Sequence, residues 1–200
     1  MEAVTVSGQI RKDTGKKSTK AVRNAEQIPA VLYSKDRTVH FSTTHKAVKP
    51  LIFTPKFKVA DVEVDGTTYR AIVKDVQWDP VTDAIKHLDF LQLVDGHPVK
   101  VEVPVRFEGT APGMRAGGKL LQLMRRIKIK TTPEKMVDEL SLNISSLELG
   151  QSIRVRDIKP VDGVEIMSPA SAPVGVIEVP RALRSAAAAE KKAAEGGKKK

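Results

Sequence analysis

Two stretches of alternating apolar and polar residues meet at the dipeptide Asp65-Gly66. They span residues 58–64 and 67–73. Alternation with a period of two directs successive side chains to opposite faces of a strand. Glycine accepts the positive φ angle of a tight primed turn, so an Asp-Gly pair between two such stretches is a strong signal for a β-hairpin. The pattern therefore predicts that the chain folds around a β-sheet.

The rest of the first 94 residues predicts more strands and a short helix. Further strands are expected at residues 4–10, 30–33, 73–78 and 85–93. The first of them is followed by a basic loop marked by Gly15. Ser18 or Thr19 is a suitable N-cap for a helix through Ala25, and Pro29 prevents that helix from continuing. Several short strands with one or two helices suggest a small β-barrel or a curled sheet.

A second β-rich domain is predicted after the turn chemistry of Asp95-Gly96-His97-Pro98. The first domain then comprises residues 1–94 and the second residues 95–182. Residues 99–107 alternate almost without fault, as expected for a strand with one buried face. Further extended segments are expected at 120–130, 140–144, 152–155 and 174–179, with loops at Gly109, Gly113, Gly117 and Gly118 and a turn or short helix at 133–137.

The last segment, residues 183–200, has a different composition. From Ala186 onward it contains only Ala, Glu, Gly and Lys. Alanine favours transient helix, but no apolar stripe is available for burial, so a disordered basic tail is expected. The predicted fold class is mainly β with a few short helices: an N-terminal β-barrel, a C-terminal β-rich domain and this tail.

Positive charge collects at the two ends of the chain. The sequence holds 34 Lys and Arg against 24 Asp and Glu, a formal net charge of +10 at pH 7. Residues 1–49 contain ten basic and four acidic residues, and residues 184–200 contain six and two. A basic surplus of this kind favours a polyanionic partner, either nucleic acid or an anionic membrane.

The sequence lacks the motifs that carry enzyme chemistry. It has no cysteine, which excludes disulfides, thiolate metal sites and thiol catalysis. Its four histidines are scattered without the spacing of a metal site. Nucleophile elbows, Walker loops and dinucleotide-binding glycine motifs are missing. No apolar run approaches the roughly 20 residues that span a bilayer, and the N-terminus does not resemble a signal peptide. We expect no enzyme activity, cofactor, metal, small-molecule substrate or membrane contact.

The basic segment from Arg11 to Arg23 is the strongest candidate for a binding site. Lysines in a flexible loop act as point charges toward phosphate, and arginines can donate two parallel hydrogen bonds to phosphate or to a base edge. The alternative is a solvated charged loop, since charge runs are common.

A second candidate is His87-Leu88-Asp89-Phe90. In a strand, His87 and Asp89 point to one face while Leu88 and Phe90 point to the other. The apolar pair suits the core, so the polar pair is expected on the outer face, where it could bind RNA through a base amino group or a 2′-hydroxyl. The alternative is an ordinary exposed histidine beside a solubilising aspartate.

Two further aromatic residues admit similar alternatives. Tyr33 could stack on RNA or donate its hydroxyl, or it could simply be partly buried, as is common for tyrosine. Trp78 could stack on a base, but a lone tryptophan is more often a packing residue.

Several motifs together resemble one known family. These are Arg11, Gly15-Lys16-Lys17-Ser18, Arg23, Ile28-Pro29-Ala30-Val31-Leu32-Tyr33, Val76-Gln77-Trp78-Asp79-Pro80 and His87-Leu88-Asp89-Phe90. They resemble the bacterial large-subunit ribosomal protein family numbered twenty-five, also called the Ctc general-stress family. Val103-Pro104-Val105 and the segment around Gly109-Thr110-Ala111-Pro112-Gly113 are similar to its long form, which carries an added domain.

The resemblance implies a β-barrel that binds the loop E region of 5S ribosomal RNA. It implies a second domain that faces neighbouring ribosomal proteins or rRNA at the central protuberance, in a cytoplasmic ribosome that holds the protein as a monomer. The implied RNA contacts are Arg11, Arg23, Tyr33, His87 and Asp89, supported by Lys16, Lys17, Ser18 and Gln77.

The sequence departs from the family pattern at four positions in this region. Lys17, Glu26 and Ser34 stand where glycine is usual, and Ala21 stands where a second arginine is frequent. These departures affect the path of the loop and the secondary phosphate contacts. A rival hypothesis is a stress-related interaction factor that docks on ribosomes transiently through its C-terminal domain, and an RNA-processing enzyme is a more distant one.

Overall fold

A computed structural model describes residues 2–35 and 37–181. The predicted disordered tail at residues 183–200 lies outside the described residues. The strands are β1 (Ala3–Ile10), β2 (Gln27–Tyr33), β3 (Thr38–Thr44), β4 (Val59–Val64), β5 (Thr67–Trp78), β6 (Ile85–Gln92), β7 (Val99–Glu108), β8 (Lys119–Gln122), β9 (Arg126–Thr131), β10 (Leu140–Asn143), β11 (Ser152–Arg154), β12 (Val164–Ile166) and β13 (Pro173–Glu178). The helices are α1 (Lys16–Asn24), α2 (His45–Ile52) and α3 (Pro112–Arg115), with short 3-10 helices at Pro133–Lys135 and Val155–Asp157.

The first six strands form a closed barrel in the order β1-β3-β2-β6-β5-β4. A parallel pairing of β1 with β4, from Ala3 opposite Val59 to Gly8 opposite Val64, closes it. Closure leaves no unpaired sheet edge for another chain to join. Aliphatic side chains and the tilted ring pair Phe41–Phe90, with centroids 5.7 Å apart, fill the interior. The predicted barrel is confirmed.

The predicted hairpin is also confirmed. Strands β4 and β5 pair antiparallel, with Val64 opposite Thr67. Asp65 and Gly66 both have positive φ angles, 49° and 75°, as a type I′ turn requires. The two strands predicted to meet at Val73 are instead the single twelve-residue strand β5. Its register against β6 shifts between Val73 and Asp75, and such bulges interrupt the alternation without ending the strand.

Helix α1 begins earlier than the sequence predicted. Its N-cap is Gly15, so the expectation of Ser18 or Thr19 as the N-cap is wrong. Both hydroxyls have other partners: the Ser18 Oγ donates to the Asp13 carbonyl, and the Thr19 Oγ1 accepts a hydrogen bond from Arg11. The first helical turn therefore contains Lys16 and Lys17, which the sequence placed in a loop.

Strand β3 and helix α2 were not predicted. Three consecutive residues of β3, from Phe41 to Thr43, are buried, so the strand lacks the alternation that marks a half-exposed one. This strand lies between β1 and β2 in the barrel, with Ile10 and Ala30 both opposite Phe41. Helix α2 follows it and buries Val48 in the barrel core.

The later strands form two smaller sheets, in the orders β10-β7-β9-β12 and β11-β13-β8. The extended segment predicted at 120–130 is two strands, β8 and β9, with a break where the amides of Leu123 and Met124 both donate to the Val174 carbonyl. The chain divides into two compact units. One runs to Val103 and includes Lys128–Asp138 and Asp162–Glu165; the other contains Pro104–Ile127, Glu139–Val161 and the segment from Ile166.

Candidate nucleic-acid interface

Strand β6 presents the polar pair that the sequence singled out. Leu88 and Phe90 are buried in the barrel core, and His87 and Asp89 point away from it. The His87 Nδ1 lies 2.7 Å from the Asp89 Oδ1. Their side chains are 23% and 32% exposed, so both remain accessible. The predicted division of this strand into an inner and an outer face is confirmed.

The hydrogen bond leaves specific groups available to a partner. A carboxylate can only accept, so the His87 Nδ1 carries the proton that is shared with Asp89. The His87 Nε2 is then free to accept a hydrogen bond. The pairing also holds the imidazole in one orientation, which lowers the entropy lost when a ligand binds.

The neighbouring strands place Gln77 and Tyr33 beside this pair. Gln77 of β5 lies opposite His87, and Asp75 lies opposite Asp89. On the other side, β2 runs parallel to β6 and carries Tyr33. Burial, followed by the negative charges of Asp89 and Asp75, raises the pKa of the Tyr33 hydroxyl. Tyr33 lies opposite Leu91, two residues from Asp89 on β6, so its side chain is on the same face of the sheet as the His87–Asp89 pair.

Arg23 ties the last turn of α1 to β6. Its Nε and Nη2 donate to the Lys86 carbonyl at 3.2 and 3.1 Å. Lys86 immediately precedes His87 in β6, and the register between β5 and β6 shifts at this point. A guanidinium has five N–H donors, so donors remain for a ligand after both bonds are made. Arg23 therefore both positions α1 and keeps charge beside His87.

Arg11 lies at the other end of α1. Its backbone amide extends the β1–β3 pairing to the His40 carbonyl. Its Nη2 donates to the Thr19 Oγ1 at 3.0 Å and to the Asp13 carbonyl at 3.3 Å. Its Nε is buried and has no hydrogen-bond partner among the described residues. The side chain thus links the end of β1 to α1.

The lysines at the start of α1 are exposed. Lys16 and Lys17 occupy its first turn with no acidic residue beside them. At a rise of 1.5 Å per residue, Lys16 lies about 10 Å from Arg23 along the helix axis. Five of the predicted site residues therefore lie near one another on and beside β6: Arg23, Tyr33, Gln77, His87 and Asp89. The other four lie in or next to α1: Arg11, Lys16, Lys17 and Ser18.

The structure adds a supporting contact that sequence reasoning missed. Asp79 forms an ion pair with Lys86 at 2.9 Å and accepts hydrogen bonds from the amides of Val81 and Thr82. The bond from Lys86, and then those amides, lower the pKa of Asp79 to about 2. Asp79-Pro80 is a recognisable turn initiator, but nothing in the local sequence marks Lys86 as its partner.

These groups form a surface of mixed charge. Hydrogen-bond donors and acceptors from strands β2, β5 and β6 lie beside the cationic helix α1. Within residues 2–35 and 37–181, no group of three or more His, Asp or Glu side chains is arranged to hold a metal ion. No helix of the same residues is long and apolar enough to cross a membrane.

Comparisons with known proteins cover nearly the whole chain. The model of the ribosomal L25p family matches residues 6–90, and that of the ribosomal protein TL5 C-terminal domain matches residues 98–181. A large ribosomal subunit protein bL25 from Phocaeicola vulgatus is 38% identical over 195 residues, which cover 94% of this chain and 98% of that one. Its counterpart from Porphyromonas gingivalis is 40% identical over 189 residues, with the same coverage. The one from Amoebophilus asiaticus is 36% identical over the full length of both chains.

Proposed function

Because the chain belongs to the ribosomal L25p family, in the form that carries the TL5 C-terminal domain, we propose that its barrel binds the loop E region of 5S ribosomal RNA. It is a structural protein of the large ribosomal subunit and not an enzyme. The proposal places the boundary between its two domains near Val94, which lies between the segments matched by the two family models.

The paired His87 and Asp89 on the outer face of the barrel carry the proposal. A regular A-form helix hides its major-groove base edges, so readable RNA must be irregular or unpaired. Asp89 would accept a hydrogen bond from an exocyclic amino group or a 2′-hydroxyl, which explains an acidic residue on a surface for a polyanion. His87 would offer its Nε2 to a neighbouring base or sugar, while Gln77 and Tyr33 extend the same face.

The basic side chains would add affinity that does not depend on the RNA sequence. Lys16 and Lys17 are placed to contact phosphates, and Arg23 would use the donors left by its bonds to Lys86. Arg11 and Ser18 would act mainly by holding α1 in place, because both already bond within the protein. Phosphate contacts release counterions, so this part of the affinity falls steeply with salt.

The remainder of the chain is assigned to other parts of the ribosome. We propose that residues 98–181 contact neighbouring large-subunit proteins or rRNA at the central protuberance, with the protein present as a monomer. No cofactor or small molecule is involved in this function.

Filter binding of 5S rRNA to the full-length protein at several salt concentrations tests the proposal. His87→Ala and Asp89→Ala should each weaken binding by a factor of about 5 to 150, because each leaves a partner without its hydrogen bond at a cost of about 1–3 kcal/mol. The slope of log K against log salt should barely change. Lys17→Ala should instead reduce that slope by about 0.9, the value for one phosphate contact on a duplex.

The exposed Lys119, in the other compact unit, provides a matched control. Lys119→Ala removes the same charge as Lys17→Ala and should leave both affinity and salt slope unchanged. Wild-type affinity in both the His87 and the Asp89 variants would contradict the assignment of this face to 5S rRNA.

A further inference from the structure

Two large aromatic side chains meet on the barrel surface away from the core. Phe53 follows the end of α2 and is 61% exposed, and Trp78 ends β5 and is 42% exposed. Their ring centroids are 5.8 Å apart in an edge-to-face arrangement. The chain has eight aromatic residues, and the other six are buried or only partly exposed. We call Phe53 and Trp78 the aromatic patch.

Helix α2 aligns two lysines with this patch. Lys46, Lys49 and Phe53 have the spacing i, i+3, i+7, which places them on one face of the helix. The Phe53 amide donates to the Lys49 carbonyl at 3.1 Å, so the helical geometry extends to the aromatic residue. Val48 faces the opposite way and is buried in the barrel core, together with partly buried Ile52.

The charge on this face is positive. Residues 45–58 contain four lysines and no acidic residue, and one of the four, Lys58, forms an ion pair with Glu2 at 2.8 Å. Lys46 and Lys49 are exposed and form no ion pair with any residue that the structure describes. An aromatic patch continuous with a row of cations is the combination by which proteins bind unpaired nucleic acid, since bases stack on rings and lysines attract the phosphates.

We propose that Lys46, Lys49, Phe53 and Trp78 form a second RNA-binding surface, which stacks an unpaired ribosomal nucleotide on the aromatic patch and holds its flanking phosphates with the lysines. This surface shares no residue with the proposed 5S rRNA contact set. It depends on the chain being a ribosomal protein and not on the recognition of loop E by His87 and Asp89.

Charge favours RNA over a protein as the occupant. A protein partner would bury the rings in an apolar pocket and would gain little from two solvated lysines on the same helix face. An RNA strand uses both features at once, because every nucleotide offers a flat base and a phosphate.

Trp78 is the only tryptophan in the chain, so its fluorescence reports directly on the patch. The experiment titrates the full-length protein with the unpaired oligonucleotide (rA)10, which represents no particular ribosomal sequence. Stacking of adenine should quench the emission. Phe53→Ala should weaken the interaction about tenfold, within the range for loss of one base–aromatic contact, and Phe53→Tyr should retain it.

The lysines are tested by the salt dependence of the same quenching. Lys46→Gln with Lys49→Gln should lower the slope of log K against log salt by about 1.4, or 0.7 for each contact with a single strand. The double variant Lys119→Gln with Arg125→Gln removes the same charge from exposed positions of the other unit and serves as the matched control. It should bind (rA)10 as the wild type does.

The two RNA surfaces can be separated with one further variant. His87→Ala, which should impair 5S rRNA binding, should leave the quenching by (rA)10 unchanged. Quenching that is absent at low salt, or that is insensitive to both the Phe53→Ala and the lysine changes, would overturn the proposal. If (rA)10 does not quench while Phe53→Ala reduces co-sedimentation with large subunits, the occupant is a protein and the RNA assignment is wrong.

Discussion

Replacing Gly8 with alanine tests the packing that holds the barrel closed. Gly8 lies in β1 opposite Thr43 of β3. A Cβ atom at this position would clash with the Phe41 Cδ2 and lie 3.1 and 3.3 Å from the Cε2 and Cγ of the same ring. Phe41 is fully buried and packs against Phe90, so its ring cannot move without displacing other core side chains.

The expected cost follows from two opposing effects. Adding a methyl group to a filled core costs about 1–3 kcal/mol, because side chains must leave their preferred rotamers or the backbone must shift. Replacing glycine with alanine also restricts the unfolded chain, which stabilises the folded state by about 0.4–1 kcal/mol. Overpacking outweighs the entropy effect, so Gly8→Ala should lower the free energy of unfolding by about 1–2 kcal/mol.

Urea unfolding followed by Trp78 fluorescence measures this change, because the single tryptophan lies on β5 of the same barrel. A double-mutant cycle with Phe41→Leu isolates the clash. Phe41→Leu should destabilise the wild-type protein, and it should cost at least about 1 kcal/mol less in the Gly8→Ala background, as expected for residues in direct contact. Additive effects, or a Gly8→Ala variant within about 0.5 kcal/mol of the wild type, would refute the argument.

Two titrations test the electrostatics around the candidate surface. The folded-state pKa of Asp79, about 2, lies below its ordinary value of 3.8, so its contribution to stability is present above pH 4 and is lost as the pH falls toward 2. Asp79→Asn should flatten the decline in urea midpoint across that range; an unchanged decline would exclude this role. NMR titration should show that Asp89→Asn lowers the raised pKa of Tyr33, and no change would mean that the carboxylate does not act on the hydroxyl.

Local sequence patterns predicted the structure correctly where the environment of a residue depends on its neighbours in the chain. The type I′ turn at Asp65-Gly66 was predictable because its φ angles constrain residue type directly. The outward direction of His87 and Asp89 was predictable because side chains alternate between the two faces of a strand. The adjacent Leu88 and Phe90 are large and apolar, and they are buried in the core. The same alternation failed for β3, which has three consecutive buried residues from Phe41 to Thr43.

The surface itself depends on contacts between distant parts of the chain. Arg23 binds the Lys86 carbonyl from 63 positions away, and Phe53 meets Trp78 across two different elements. A backbone carbonyl accepts a hydrogen bond whatever side chain its residue carries. The residue type at position 86 therefore could not have predicted the contact with Arg23. The hairpin, the two faces of β6 and the basic character of the N-terminal region could all be predicted from the residues alone. Which groups share a surface became clear from the folded barrel, because its closure and strand register bring together residues that are far apart in the chain.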